Sequence, residues 1–169
     1  MKYCQLDQIT SLVRDQSITA TRTLRSDEEH LLDHFPNFPV MPGVMMLESL
    51  HQAAIWLIRA SDGFVTPLVL LREVKGVKFG EFLAPNETLH IEAKVVKSEG
   101  SRTTIKATAQ KDGKTTVTAR MILETSVTGD PERVRTDSDV LERVRKQFVE
   151  LFQSPTFDAE SYLPAAVPS

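Results

Sequence analysis

The run from Gly43 to Ile58 places apolar residues on almost every side of a helix: Val44, Met45, Leu47, Leu50, Ala53, Ala54, Ile55, Leu57 and Ile58. A helix apolar all round belongs inside a core. Glu48, Ser49, His51 and Gln52 interrupt it, and no apolar run in the chain reaches membrane-spanning length. Ser61-Asp62-Gly63 ends the helix, with Gly63 expected as its C-terminal cap. Its start is equally marked. Pro36, Pro39 and Pro42 fix three backbone φ angles within seven positions, so a rigid, extended loop delivers the chain into the helix at Gly43. The rest of the chain has to wrap that helix.

The flanking segments suit that task. Ile9–Val13 and Ser17–Leu24 are short β-prone runs with a turn at Arg14-Asp15-Gln16. Ser26 and Glu29 have capping-box spacing and predict a short helix that Phe35-Pro36 soon breaks. Beyond the helix, four β segments run over Pro67–Phe79, Thr88–Ser98, Arg102–Gln110 and Lys114–Glu124. Asp112-Gly113 predicts a tight hairpin, and Ser98-Glu99-Gly100-Ser101 a second. Ile91, Ala93 and Val95 alternate with Glu92 and Lys94, and Ile105, Ala107 and Ala109 with Lys106 and Thr108, so each strand has one dry and one wet face. The fold class is α+β: a curved antiparallel sheet around one long buried helix.

From Thr128 onward the composition changes. Gly129-Asp130-Pro131 reads as a linker, which divides the chain into a main domain, 1–127, and an extension, 128–169. A helix capped at Asp137 or Ser138 and running to about Phe152 carries the stripe Val140, Val144, Phe148 and Leu151 or Phe152, with Glu142, Arg143, Arg145 and Lys146 outside. It is expected to dock on its own domain or on a partner subunit. The proline- and alanine-rich end, from Pro155, reads as loosely ordered.

A formal net charge of −3 supplies no basic footprint for nucleic acid, and nothing to draw the chain to an anionic membrane surface. The single cysteine, Cys4, excludes an internal disulfide and fits a reducing, cytoplasmic setting. The first residues lack the apolar core of a signal peptide. No histidine pair has metal-ligand spacing.

Glu48 is the residue that demands explanation. An ionised carboxylate inside an apolar helix must be paired, protonated or open to a cavity. Gln52, one turn on, is placed to bond it. A purely structural Glu48–Gln52 pair is one reading. The other is chemical. The proline loop holds His34 beside the helix start, and the Gly43 backbone N–H sits where the helix dipole favours negative charge. A base, an acid and an oxyanion site form a set suited to proton abstraction next to a carbonyl and loss of a hydroxyl. His51, adjacent to Gln52 in sequence, is expected to face away from Glu48 and to be structural. His30 could support the loop, and His90 reads as a surface strand residue. Met41, Met45, Met46 and Trp56 read as core.

The stretch His34-Phe35-Pro36-x-x-Pro39-Val40-Met41-Pro42-Gly43-Val44-x-x-x-Glu48-x-x-x-Gln52 resembles the signature of the 3-hydroxyacyl-[acyl-carrier-protein] dehydratases of bacterial fatty-acid synthesis. The wider resemblance covers about Leu6 to Glu124. It implies a hotdog fold, a homodimer often assembled as a trimer of dimers, and active sites at the dimer interface with histidine from one chain and glutamate from the other. It implies that His34 removes a C2 proton and that Glu48 protonates the departing hydroxyl. The Gly43 N–H would bind the thioester oxygen and Gln52 would orient Glu48. No metal or redox cofactor is implied. The substrate handle would be an acyl-carrier protein or coenzyme A. Glutamate rather than aspartate at position 48 resembles the branch that dehydrates without isomerising.

The resemblance has gaps. The family's His-Arg-Tyr-Pro-Phe-like motif is missing from Leu6–Leu24, and Gly80 and Glu81 stand where basic residues are usual. Arg72, Lys75 and Lys78 are the remaining candidates for carrier docking, against a reading as solvated strand charges. Two rivals therefore stand beside the dehydratase. One is a thioesterase, or a coenzyme A-linked enoyl hydratase, on the same fold. The other is a non-catalytic acyl- or carrier-binding subunit.

Overall fold

The structure is a computed structural model that describes residues 3–35, 37–127 and 134–164. Pro36, the expected linker Gly129-Asp130-Pro131 and residues 165–169 lie outside the described residues. Six strands form one antiparallel sheet: β1 (Gln8–Val13), β2 (Ser17–Thr23), β3 (Leu68–Phe79), β4 (Thr88–Glu99), β5 (Arg102–Lys111) and β6 (Lys114–Ser126). The strand order is β1-β2-β4-β5-β6-β3, so β1 and β3 are the edges. Register shifts interrupt the β1–β2, β3–β6, β4–β5 and β5–β6 ladders. Each bulge bends its strand and increases its twist, which lets the sheet curl.

The long helix α1 (Gly43–Ser61) lies in that curl and packs against all six strands. Leu50, Ala53, Ala54, Leu57 and Ala60 are sealed beneath it, and Ile91, Ala93, Ile105, Ala107, Ala109, Val117 and Met121 meet them from the sheet. Small alanines on both surfaces let helix and sheet approach closely. This is the hotdog arrangement. Gly63, at φ 67°, takes the chain out of α1 as expected, and Asp112 and Gly113, both with positive φ, make the β5–β6 turn. The capping box does not form. The turn before the loop is a 3-10 helix, Glu29–Leu32, without a side-chain cap; the Glu28 carboxylate takes the Arg25 N–H instead.

The appended helix α2 (Val134–Phe152) starts earlier than Asp137 and lies against the C-terminal half of α1. Phe148 and Phe152 are buried against Trp56, and Phe148 also meets Phe64. Arg145 is not on the outer face: its guanidinium donates to the Phe64 carbonyl at 2.8 Å. The segment that follows is packed through Leu163, with Phe157 and Ala159 buried and the Tyr162 hydroxyl donating to the Leu12 carbonyl at 2.6 Å. No helix among the described residues is long and apolar enough to cross a membrane.

Candidate active site

Three anchors hold the loop that carries His34. The His34 N–H donates to the His30 carbonyl at 3.0 Å, Phe38 N–H to Phe35 at 2.8 Å, and Met41 N–H to Leu83 at 2.9 Å. The last bond ties the loop to the connection between β3 and β4. Phe35 sits at φ 51°, a left-handed conformation that a bulky side chain adopts at a cost of about 1–3 kcal/mol. The strain falls one residue after the candidate base. The His34 ring lies 4.5 Å from that of Phe35.

Val40 and Met41 are buried, so they plug the loop into the core just ahead of α1. Pro42 is the N-cap of α1, and no side chain caps the helix. Its first N–H groups thus remain available to an anionic oxygen. Gly43 lies close against an exposed ring that a larger residue would have to push aside. A Cβ at this position would stand 2.9 Å from the Phe79 ring at the end of β3. Phe79, Phe82, Phe35, Phe38 and Val44 are all exposed around the helix start, and the Phe38 and Phe82 rings meet edge to face at 5.8 Å. A cluster of exposed aromatic rings beside an edge strand is unusual for a finished surface.

Glu48 and Gln52 meet as expected: the Gln52 amide donates to Glu48 Oε1 at 2.8 Å. Gln52 does more than that. Its amide also donates to the Tyr3 carbonyl at 3.0 Å, and its oxygen accepts the Gln5 N–H at 2.8 Å. The N-terminal segment is thereby locked onto the helix, and these partners define the orientation of the amide. His51 does not face away. Its Nδ1 lies 3.0 Å from Glu48 Oε2. Positions three and four apart on a helix share a face, so both His51 and Gln52 reach the same carboxyl group. The His51 bond, with help from Gln52 and against the opposing effect of burial, holds the Glu48 carboxyl below the usual carboxylate range. Among the described residues no hydrogen bond or ion pair joins His34 to Glu48 within the chain.

The docking candidates separate. Arg72 is committed to Glu124, which it shares with Arg102. Lys75 and Lys78 remain on the outer face of the sheet, where register adds cations that the sequence reading missed. Lys75 stands opposite Arg120, Arg120 opposite Lys106, and Lys106 opposite Lys94. Like charges directly across a ladder are destabilising. Glu73 and Glu92 neutralise the two ends, pairing with Lys75 at 3.0 Å and Lys94 at 2.7 Å. Lys75, Lys78, Lys106 and Arg120 line a hollow of about 440 Å³. Lys106 is legible in the sequence as a wet-face residue, but its alignment with Arg120 depends on the strand register.

Gly80 has a structural reason to depart from the basic run. A Cβ there would stand 2.4 Å from the Thr115 carbonyl oxygen, so a longer side chain cannot enter without moving backbone.

Comparison with known proteins agrees with this architecture. The family model described as ApeI-like, ApeI dehydratase, matches residues 10–120. The chain is 38% identical over 104 residues to a 3-hydroxyacyl-[acyl-carrier-protein] dehydratase FabZ of Levilactobacillus brevis, covering 62% of this chain and 70% of that one. The FabZ of Lactiplantibacillus plantarum is 32% identical over 113 residues, covering 67% and 77%. Among solved structures, the dehydratase heterocomplex ApeI:P from Xenorhabdus doucetiae superposes with a TM-score of 0.63 at 15% identity, over 79% of this chain and 90% of that one. A hypothetical thioesterase with coenzyme A from Streptococcus pneumoniae superposes at 0.56 and 13% identity, over 70% and 86%. At such identities these two matches speak to the fold alone.

Proposed function

The chain belongs to the ApeI-like dehydratase family, and from that premise we propose that it removes water from 3-hydroxyacyl thioesters carried on an acyl-carrier protein, giving trans-2-enoyl thioesters for fatty-acid synthesis. The observation that carries the assignment of roles is the carboxyl group of Glu48 on the first turns of a core helix whose uncapped start is entered from the His34 loop. His34 takes the C2 proton. The Gly43 N–H receives the thioester oxygen as negative charge develops on it. The C3–O bond then breaks, and the hydroxyl leaves as water with a proton from Glu48. The Glu48 side chain is 46% exposed in the free chain. An acyl chain laid over it would remove water and push its pKa back up, toward the protonated form that an acid needs.

His34 and Glu48 are not joined within one chain, which supports a site shared between two copies. Edge strand β3 and the exposed aromatic rings beside it are the surface we assign to that homodimer, with a trimer of dimers as the larger assembly. The outer-face cations Lys75 and Lys78 are assigned to carrier docking, and Arg72 less so because Glu124 holds it. The carrier-linked substrate puts the site of action in the cytoplasm.

The assay is hydration of a crotonyl thioester. His34→Ala and Glu48→Gln should each abolish it while the far-UV spectrum and melting curve stay native. Full activity in both variants would refute these roles. A second reading has one observation in its favour: a carboxylate held ionised by His51 is suited to activating water, as in a thioesterase. Thiol release without enoyl formation would select that reading.

A further inference from the structure

We propose that His51 is a positioning residue for the dehydration, holding the second oxygen of the Glu48 carboxyl group while Gln52 holds the first. The inference rests on the reading of Glu48 as the acid, and it goes beyond the roles assigned to His34, Gly43 and Gln52. Its starting point is geometric. Glu48 Oε1 receives the Gln52 amide at 2.8 Å, and Oε2 lies 3.0 Å from His51 Nδ1. With both oxygens held, the carboxyl plane cannot turn about its terminal bond.

The two anchors differ in kind. Gln52 is tethered to the N-terminal segment by the Gln5 N–H and the Tyr3 carbonyl, so its strength depends on that segment staying in place. His51 is anchored by burial. Its side chain is 19% exposed, under a glutamate that is 46% exposed. The imidazole is thus a floor for a carboxyl group whose other side is open. A pair spaced i,i+3 on a solvated helix face contributes only a few tenths of a kcal/mol. A bond made from a buried ring to a charged group is worth more.

The far ring nitrogen distinguishes positioning from proton relay. His51 Nε2 is buried and has no hydrogen-bond partner among the described residues. An imidazolium would leave a buried N–H unsatisfied there, a costly arrangement. The neutral tautomer with its proton on Nδ1 leaves Nε2 only an idle neutral acceptor, which costs less than an unpaired N–H of a buried cation, and it points its one N–H at Glu48. It can donate to Glu48 Oε2 whether the carboxyl group is ionised or carries its proton on the other oxygen. A relay would need a second proton route through Nε2, and that atom is closed off. His51 therefore acts by orientation.

Steady-state kinetics with a 3-hydroxyacyl thioester provide the test, using wild type, Glu48→Gln and three substitutions at His51. In His51→Asn the amide nitrogen falls close to the place of Nδ1. In His51→Gln it falls one bond further out, and His51→Leu has no donor. Losing one hydrogen bond to a charged group should lower kcat of His51→Leu by about ten- to a hundredfold, with KM within about twofold. His51→Asn should recover most of that loss and His51→Gln little of it. The Asn/Gln comparison remains decisive even if the Leu variant fails to fold. A kcat within twofold of wild type in the Leu and Gln variants would overturn the inference. So would an effect on KM alone, or Asn no better than Gln. An inactive wild type or an active Glu48→Gln variant would instead bring down the reading of Glu48, and this inference with it.

Discussion

Replacing Phe148 by alanine tests whether the C-terminal segment is part of one cooperative core. The Phe148 side chain is fully buried. Its ring lies 4.9 Å from Phe64, 5.3 Å from Trp56, 5.6 Å from Phe152, 6.2 Å from Phe157 and 6.4 Å from Tyr162. It is the hub through which α2 and the segment after it touch α1. Phe→Ala in a packed core costs about 3–5 kcal/mol, from lost transfer energy and the cavity left behind. Ring pairs add about 0.5–1.5 kcal/mol each beyond area burial, which places this site at the upper end. For a domain of this size, each kcal/mol moves Tm by about 2–4 °C, so the expected loss is roughly 10–20 °C. Thermal and urea unfolding by circular dichroism would read it. Trp56 lies eight residues from Glu48, about 12 Å along the helix, so kcat measured well below the melting range should stay within about twofold. A loss under about 1 kcal/mol would refute the argument. A separate early transition that leaves the main one in place would do the same, because it would make the extension an independent unit.

Three further outcomes follow from particular contacts. Gly80→Ala should cost about 1–3 kcal/mol in the urea midpoint, because its Cβ would press on the Thr115 carbonyl; an unchanged midpoint would mean that β3 and β6 separate freely there. Arg22 is buried against Glu28, and although burial opposes ionisation of Glu28, the Arg22 and Arg25 contacts outweigh it and hold its pKa below the ordinary value. A lowered carboxyl pKa stabilises the fold above the unfolded value, and this is lost as pH falls through the folded one, so acid unfolding should be less steep in Glu28→Gln than in wild type. Combining Lys106→Glu with Arg120→Glu should raise KM for a carrier-linked substrate by about five- to tenfold and leave a pantetheine thioester unaffected, and equal effects on both substrates would remove carrier docking from this face.

Much of the candidate site's local geometry is legible in the sequence. The prolines and the Glu48–Gln52 spacing act through local geometry, which the sequence states directly, whereas Gly43 also lies against a ring from the distant end of β3. The Glu48–His51 contact is also legible, since i,i+3 positions share a face. Gly80 was different. It read as a missing basic residue, and its reason is a carbonyl more than thirty residues away on β6. The cation ladder depends on bulges in three strand pairs, which move the register in a way that residue alternation does not reveal.

Periodicity, proline placement and turn residues determined by themselves that one apolar helix would be wrapped by antiparallel strands, because these are preferences of a few consecutive residues; of the expected meander only β4-β5-β6 forms, since β3 crosses over to pair with β6. Tertiary structure alone decided what each chemical group meets. It closed off the far nitrogen of His51, tethered Gln52 to the N-terminal segment, and buried Phe148 among rings of α1, of Phe64 and of the segment after α2. Such contacts depend on how distant surfaces pack, and packing is settled by the summed fit of the whole core rather than by any local run of residues.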